Sequence, residues 1–307
     1  MPYDHPNTLK SFKQSMNLDN FMSSLKSQEI LCYLRGDICS TDFLKGMLHP
    51  MKSYILNFAQ SLCDKVFEKI PRKLKSTSDF QIVAHRGAHQ EGYIENTLEA
   101  FRVCAEAKIW GIELDVHWTE DHVPVVHHDE HCGRLFNHPE IILSLTKFSD
   151  LRHRVPQIPS LEEVVNELSG KLHLMVELKQ KPSQEQEKVL SGLLANLKPV
   201  ENYHLLSLTA NNLKDLTLFP KECFVGISEL NDKSFADYCL KNNWGGYGTH
   251  YLLMTNKQLQ RHHNSKQKVA VGYINSKNSL IREWNRNVDW IFTNHALSIQ
   301  QLGNELL

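Results

Sequence analysis

Little in this chain is extreme, and each missing extreme closes off a class of protein. Charge of one sign is absent: 34 Lys and Arg face 35 Asp and Glu, a net charge of −1. Such a chain has no strong positive field with which to release counterions, so nucleic acid is not its expected partner. No uninterrupted apolar run of about 18 residues occurs, so no transmembrane helix is expected. The opening Met1-Pro-Tyr-Asp-His-Pro6 has no basic stretch followed by an apolar one, the pattern of a secretory leader. The seven cysteines are scattered, odd in number and never spaced as C-x-x-C. That excludes a zinc knuckle or a disulfide framework and fits reduced thiols, so a cytoplasmic protein is expected.

What the chain does have is length and rhythm. Its 307 residues suffice for one large domain with an appendage. Around residues 71–79 a proline, three basic residues and a small polar run mark a boundary. Residues 1–78 carry a net +4 and the remainder −5. Before the boundary Phe43, Met47, Tyr54, Ile55, Phe58, Leu62 and Val66 recur at mostly three- and four-residue intervals, so residues 8–70 read as a few short amphipathic helices. They form a helical N-terminal extension that packs on the main domain or, beside the basic Arg72, Lys73 and Lys75, contacts a membrane surface.

From residue 79 short β-like runs alternate with helix-like ones. Strands are expected at 81–86, 111–117, 172–179, 203–208, 223–228, 246–251, 269–274 and 288–293. Helices are expected at 97–108, 184–198, 211–218, 233–242, 255–264, 278–286 and 296–306. That count and length predict a (β/α)₈ barrel over residues 79–307. Segment 119–159 breaks the alternation, as insertions that build an active face do. Thr97 is a candidate helix cap, and Ser160-Leu-Glu-Glu163 reads as a capping box.

Barrel chemistry sits at the C-terminal ends of the strands. The first strand ends in His85 and Arg86. The second carries Glu113 and Asp115, two residues apart and so on one face. The third ends in Glu177 and Lys179, and the arm Val123-Pro-Val-Val-His-His-Asp129 delivers His127 or His128. Two carboxylates this close resist joint ionisation unless a cation lies between them. Three carboxylates for a hard cation, two basic side chains for a phosphate and two imidazoles for proton transfer make the tools of phosphodiester cleavage.

These residues stand in motifs that resemble a known family. His85-Arg-Gly-Ala88, Glu95-Asn-Thr-Leu-Glu-Ala-Phe101, Gly111-Ile-Glu-Leu-Asp-Val116, Val123-Pro-Val-Val-His-His-Asp-Glu130, Ile158-Pro-Ser-Leu-Glu-Glu-Val164 and Val176-Glu-Leu-Lys179 are similar, in that order, to the signature of the glycerophosphodiester phosphodiesterases. The match is close over 81–179 and weaker beyond 200. It implies a barrel hydrolase that cleaves glycerophosphodiesters to glycerol 3-phosphate and an alcohol with one divalent cation, Mg²⁺ or Ca²⁺. By position, His85 and His128 match the acid/base pair. Glu113, Asp115 and Glu177 match the metal ligands, while Arg86, Lys179 and Glu95 match substrate-binding and site-orienting positions.

Some positions depart from the family pattern: Ile94, Leu135-Phe136, the seventh strand Val271-Gly-Tyr-Ile-Asn275 and the eighth strand's end Thr293-Asn-His-Ala296. Ile94 is expected to change only the shape of a loop; the others are expected at the substrate rim. Two other readings stand beside the hydrolase: a lysophospholipase D-type activity on lysolipids, and a non-catalytic module that binds lipid head groups. A zinc hydrolase is disfavoured because H-E-x-x-H is missing and His85 and His89 flank a glycine turn.

Overall fold

A computed structural model describes Gln60–Ser61, residues 72–76 and residues 79–307. The helices expected over 8–70 lie outside the described residues, except for Gln60 and Ser61, which are helical. The compact unit that carries the barrel runs from Leu56 to Leu307.

Eight parallel strands close on themselves: β1 (Gln81–His85), β2 (Gly111–Trp118), β6 (His173–Leu178), β7 (Tyr203–Ser207), β8 (Phe224–Ser228), β9 (Gly246–His250), β10 (Lys268–Gly272) and β11 (Trp290–Thr293). Each neighbours the next in sequence order, and β11 returns to β1, so the barrel has no open edge to protect. Between β2 and β6 three more strands appear: β3 (Pro124–Val126), antiparallel to β2, and the ribbon of β4 (His131–Cys132) with β5 (His138–Ile142).

The period-2 rule sorts the strand residues into two cores. Val83, Met175, Leu206, Val225, Ala270 and Trp290 fill the barrel interior. Their neighbours in sequence, among them Ile82, Leu174, Leu205, Phe224, Val269 and Ile291, pack outward beneath the helices, as does Ile112 on β2. Those helices are α1 (Leu98–Glu106), α2 (Gly133–Phe136), α3 (Phe148–Arg154), α4 (Leu161–Leu168), α5 (Gln184–Leu193), α6 (Lys233–Lys241), α7 (Asn256–Asn264), α8 (Lys277–Asn285) and α9 (Ala296–Asn304). Thr97 caps α1 by accepting from the Ala100 N–H, and Ser160 with Glu163 closes the anticipated capping box on α4. Segment 119–159 has a third core of its own, built from Val125, Cys132, Ile141, Leu143, Leu151, Val155 and Ile158.

One expected helix does not form. In place of 211–218 a single 3₁₀ turn spans Ala210–Asn212. The carboxylate of buried Glu187 on α5 accepts from the backbone N–H groups of Thr217 and Leu218, and the Asn212 side chain donates to the Leu178 carbonyl. Glu187 thus takes two backbone N–H groups that a helix would have needed, while Asn212 ties the turn to β6.

Candidate active site

The C-terminal mouth brings together the eight residues matched above to family roles, from strand ends and the segments that follow them. In the register between strands, His85 lies beside Glu113 and Asp115 beside Glu177. One carboxylate oxygen from each of Glu113, Asp115 and Glu177 lies within 4.8 Å of the others. Two oxygens on opposite sides of a divalent cation stand roughly 4–5 Å apart, given metal–oxygen bonds of about 2.0–2.6 Å. The spacing therefore fits a cation. So does an unmet need: Glu113 Oε1 is buried without a hydrogen-bond partner, a costly state for a carboxylate.

The surrounding cations offset the acids only in part. Lys179 Nζ lies 2.8 Å from Glu177 Oε1 and 3.0 Å from Asp115 Oδ1. Arg86 reaches Asp115 Oδ2 at 3.2 Å and Glu95 Oε1 at 3.1 Å. Arg134 joins Glu95, at 2.6 Å, to Asp129, also at 2.6 Å. Five carboxylates thus share three cations. Burial and the neighbouring Asp115 push the Glu113 carboxyl well above its ordinary range. Burial works the same way on Asp115, but Lys179 and Arg86 outweigh it and hold that carboxyl far below its usual value. Burial and Asp115 raise Glu177 despite its bond to Lys179. Glu113 is the acid that the protein's own cations serve least.

Local backbone fixes these positions. Arg86 adopts a left-handed φ of 56°, and its N–H donates to the Glu113 carboxylate. Gly87 follows at φ 79°, where a Cβ would stand 2.9 Å from that of Ala100, so only glycine lets α1 approach the site this closely. Asn96 donates to Asp115 Oδ2 and accepts from the Asp115 N–H, which holds that carboxylate in place.

The two histidines face one cavity of about 110 Å³. His85 Nδ1 lies 2.7 Å from Asn294 Oδ1, which as acceptor requires a proton on Nδ1 and leaves Nε2 bare. Burial and Arg86 lower the His85 pKa to about 4. His128 Nδ1 donates to Asp129 Oδ1 at 2.7 Å, and Arg134 anchors that carboxylate in turn. His127 points away: it is buried against Phe136, with Nε2 on the His131 carbonyl.

The sequence reading did not single out Asn96, Asp129, Arg134 or Asn294. Asp129 was the most accessible of these, as an acid adjoining a histidine on an extended arm. Asn294, expected at the substrate rim, bonds to His85 itself. Phe136, also expected there, belongs to the insertion and packs on the His127 ring.

The model of the glycerophosphoryl diester phosphodiesterase family matches residues 85–297. The chain belongs to that family. Among curated relatives, YhdW of Bacillus subtilis is 36% identical over 115 residues, 34% of this chain and 46% of that protein. Glycerophosphodiester phosphodiesterase 1 of Mus musculus is 34% identical over 119 residues, 33% of this chain and 35% of the relative. The chain thus spans less than half the length of either. In fold it resembles an Oleispira antarctica phosphodiesterase solved in complex with the product sn-glycerol-3-phosphate. That match has a TM-score of 0.63 at 21% identity and covers 73% of this chain and 96% of the other.

Proposed function

We propose that this family member hydrolyses glycerophosphodiesters to glycerol 3-phosphate and an alcohol, with one Mg²⁺ or Ca²⁺ held by Glu113, Asp115 and Glu177. The observation that carries this reading is the buried, unpartnered Glu113 oxygen within an acid cluster of cation dimensions, facing two histidines across one cavity. When bound, such a cation offsets charge on the phosphoryl oxygens. Arg86 and Lys179 line the same cavity and supply fixed positive charge to those oxygens.

His85 presents a bare Nε2 and takes the proton from the attacking hydroxyl. The Asn294 carbonyl oxygen holds the tautomer that makes this Nε2 the acceptor. His128, with Nδ1 on Asp129, delivers a proton to the leaving oxygen from Nε2. The Asp129 carboxylate, itself anchored by Arg134, holds that ring in place. Glu95 orients the pair of arginines rather than meeting the reacting atoms. Residues 1–78 act in this reading as an extension of the catalytic barrel at 79–307. The four described cysteines, all free and buried, support a cytoplasmic setting.

A second reading has one observation in its favour. The cavity lining also carries Leu206, Leu208, Ile227 and Phe292, with Leu208 45% exposed. Such a lining could take the alkyl part of a lysolipid. The test is choline release from glycerophosphocholine and from lysophosphatidylcholine, each with Mg²⁺, Ca²⁺ or EDTA. EDTA-sensitive release from the first supports the main reading; release from the second alone moves the substrate to lysolipids. No release from either, with no binding of Mg²⁺ or Ca²⁺, overturns both.

A further inference from the structure

The family match begins at residue 85, yet a buried side chain 25 residues earlier reaches the cavity wall. Gln60 is 8% exposed and makes two hydrogen bonds with its terminal amide. Nε2 donates to the Tyr273 carbonyl at 3.0 Å, and Oε1 lies 3.1 Å from His250 Nε2. The Leu252 N–H donates to His250 Nδ1 at 3.2 Å, so Nε2 of that ring carries the proton and Gln60 accepts it. His250 ends β9, and Tyr273 follows β10; both line the cavity shared by His85, Glu113 and His128.

The two residues joined by Gln60 need holding. Tyr273 has a left-handed φ of 68°, a conformation that disfavours a bulky side chain. Its ring stacks on that of His250, with centroids 5.2 Å apart and planes 25° apart. Gln60 bonds to the backbone of one and the ring of the other, which fixes the Tyr273 carbonyl and the plane on which the Tyr273 ring lies. The nearby chain is tied to the same sector: Lys75 and Ser76 donate backbone N–H groups to Asn285 Oδ1 on α8, and the Asn285 amide donates to the Lys73 carbonyl.

We propose that Gln60 is a positioning residue for substrate binding, a two-bond clamp from the segment before the family barrel that holds His250 and Tyr273 as one wall of the reaction cavity. The inference rests on the phosphodiesterase reading for its kinetic readout and on geometry alone for its spectroscopic one. Because the clamp touches the wall and not the acid cluster or the two histidines, it governs how substrate is held rather than how the bond breaks.

The test compares full-length wild type with Gln60→Ala and with Gln60→Met, which keeps the volume and loses both bonds. With glycerophosphocholine and Mg²⁺ or Ca²⁺, each variant should raise KM about tenfold while kcat stays within about threefold, the scale of one or two lost hydrogen bonds. Side-chain ¹⁵N spectra should show His250 as a single Nε2–H tautomer in wild type and an exchanging ring in both variants. Unchanged KM together with an unchanged His250 tautomer in Gln60→Met overturns the proposal, and a lowered melting temperature would then mark Gln60 as packing alone. If wild type turns over no glycerophosphodiester, the functional reading fails by itself, and the His250 spectra alone decide the clamp.

Discussion

The two ends of the barrel hold histidines among buried polar groups, yet they treat them in opposite ways. At the N-terminal end His173 Nε2 lies 2.8 Å from His204 Nδ1, His173 Nδ1 lies 3.1 Å from the Glu201 carbonyl, and Trp110 and Trp290 pack against the two rings. Burial lowers both imidazoles, to about 4 and about 3, and as neutral rings they satisfy one another. At the C-terminal end Glu113 Oε1 has no partner, and two imidazoles turn a free nitrogen toward a cavity. The plug of histidines at the N-terminal end satisfies its own polar groups, whereas the mouth leaves a carboxylate oxygen that a cation could meet.

That contrast can be broken most sharply at the mouth. His128→Ala and Glu113→Gln should each reduce turnover at least about a hundredfold, the scale of losing a general acid or the cation's charge partner. Neither should lower the melting temperature measured in EDTA, and Glu113→Gln should raise it, since a buried acid is removed. A variant that keeps wild-type turnover would place the chemistry elsewhere.

The opposite outcome is expected at the N-terminal end, where His173 and His204 plug the barrel. His173→Ala leaves a void and an orphaned His204 nitrogen, so it should cost roughly 2–4 kcal/mol in thermal or urea unfolding while kcat is unchanged. The same pair predicts a pH dependence. Its rings stay neutral when folded and take up protons only on unfolding, so their contribution is whole above about pH 6.5. It declines as pH falls toward about 4, by up to about 1.4 kcal/mol per pH unit for each ring. Replacing both histidines by phenylalanine should flatten that slope in urea titrations.

Two glycines give the smallest and most local comparison. A Cβ on Gly246, at the plug end, would stand 2.9 Å from the Lys268 carbonyl and 3.0 Å from Trp290, whereas one on Gly272, at the mouth, meets nothing within 4 Å. Gly246→Ala should therefore destabilise by roughly 1–3 kcal/mol. Gly272→Ala should stay within about 0.5 kcal/mol, as paired melting curves would show.

The sequence disclosed much of this because its signals were periodic or adjacent. Every barrel strand lies within two residues of its expected bounds, since alternation along β2 or β6 is visible locally. Glu113, Asp115 and Glu177 could be paired because an i, i+2 spacing fixes a common face. What escaped was long-range. Glu187 capturing Thr217 and Leu218, Asn294 bonding to His85 and Gln60 bonding to His250 join residues between 30 and 209 positions apart. Nothing in the local pattern around either partner announces them.

The insertion's separate core has a mechanical consequence. His85 ends a barrel strand, while His128 rides on the arm that follows β3, beside the cluster of Val125, Ile141 and Leu151. The span between the proposed proton acceptor and the proposed proton donor is therefore like that of a caliper whose jaws are mounted on different blocks, joined where β3 lies along β2. The smaller block, with fewer buried side chains, is expected to loosen first on warming. Activity should then fail at a lower temperature than the melting point, which paired activity and melting curves would show.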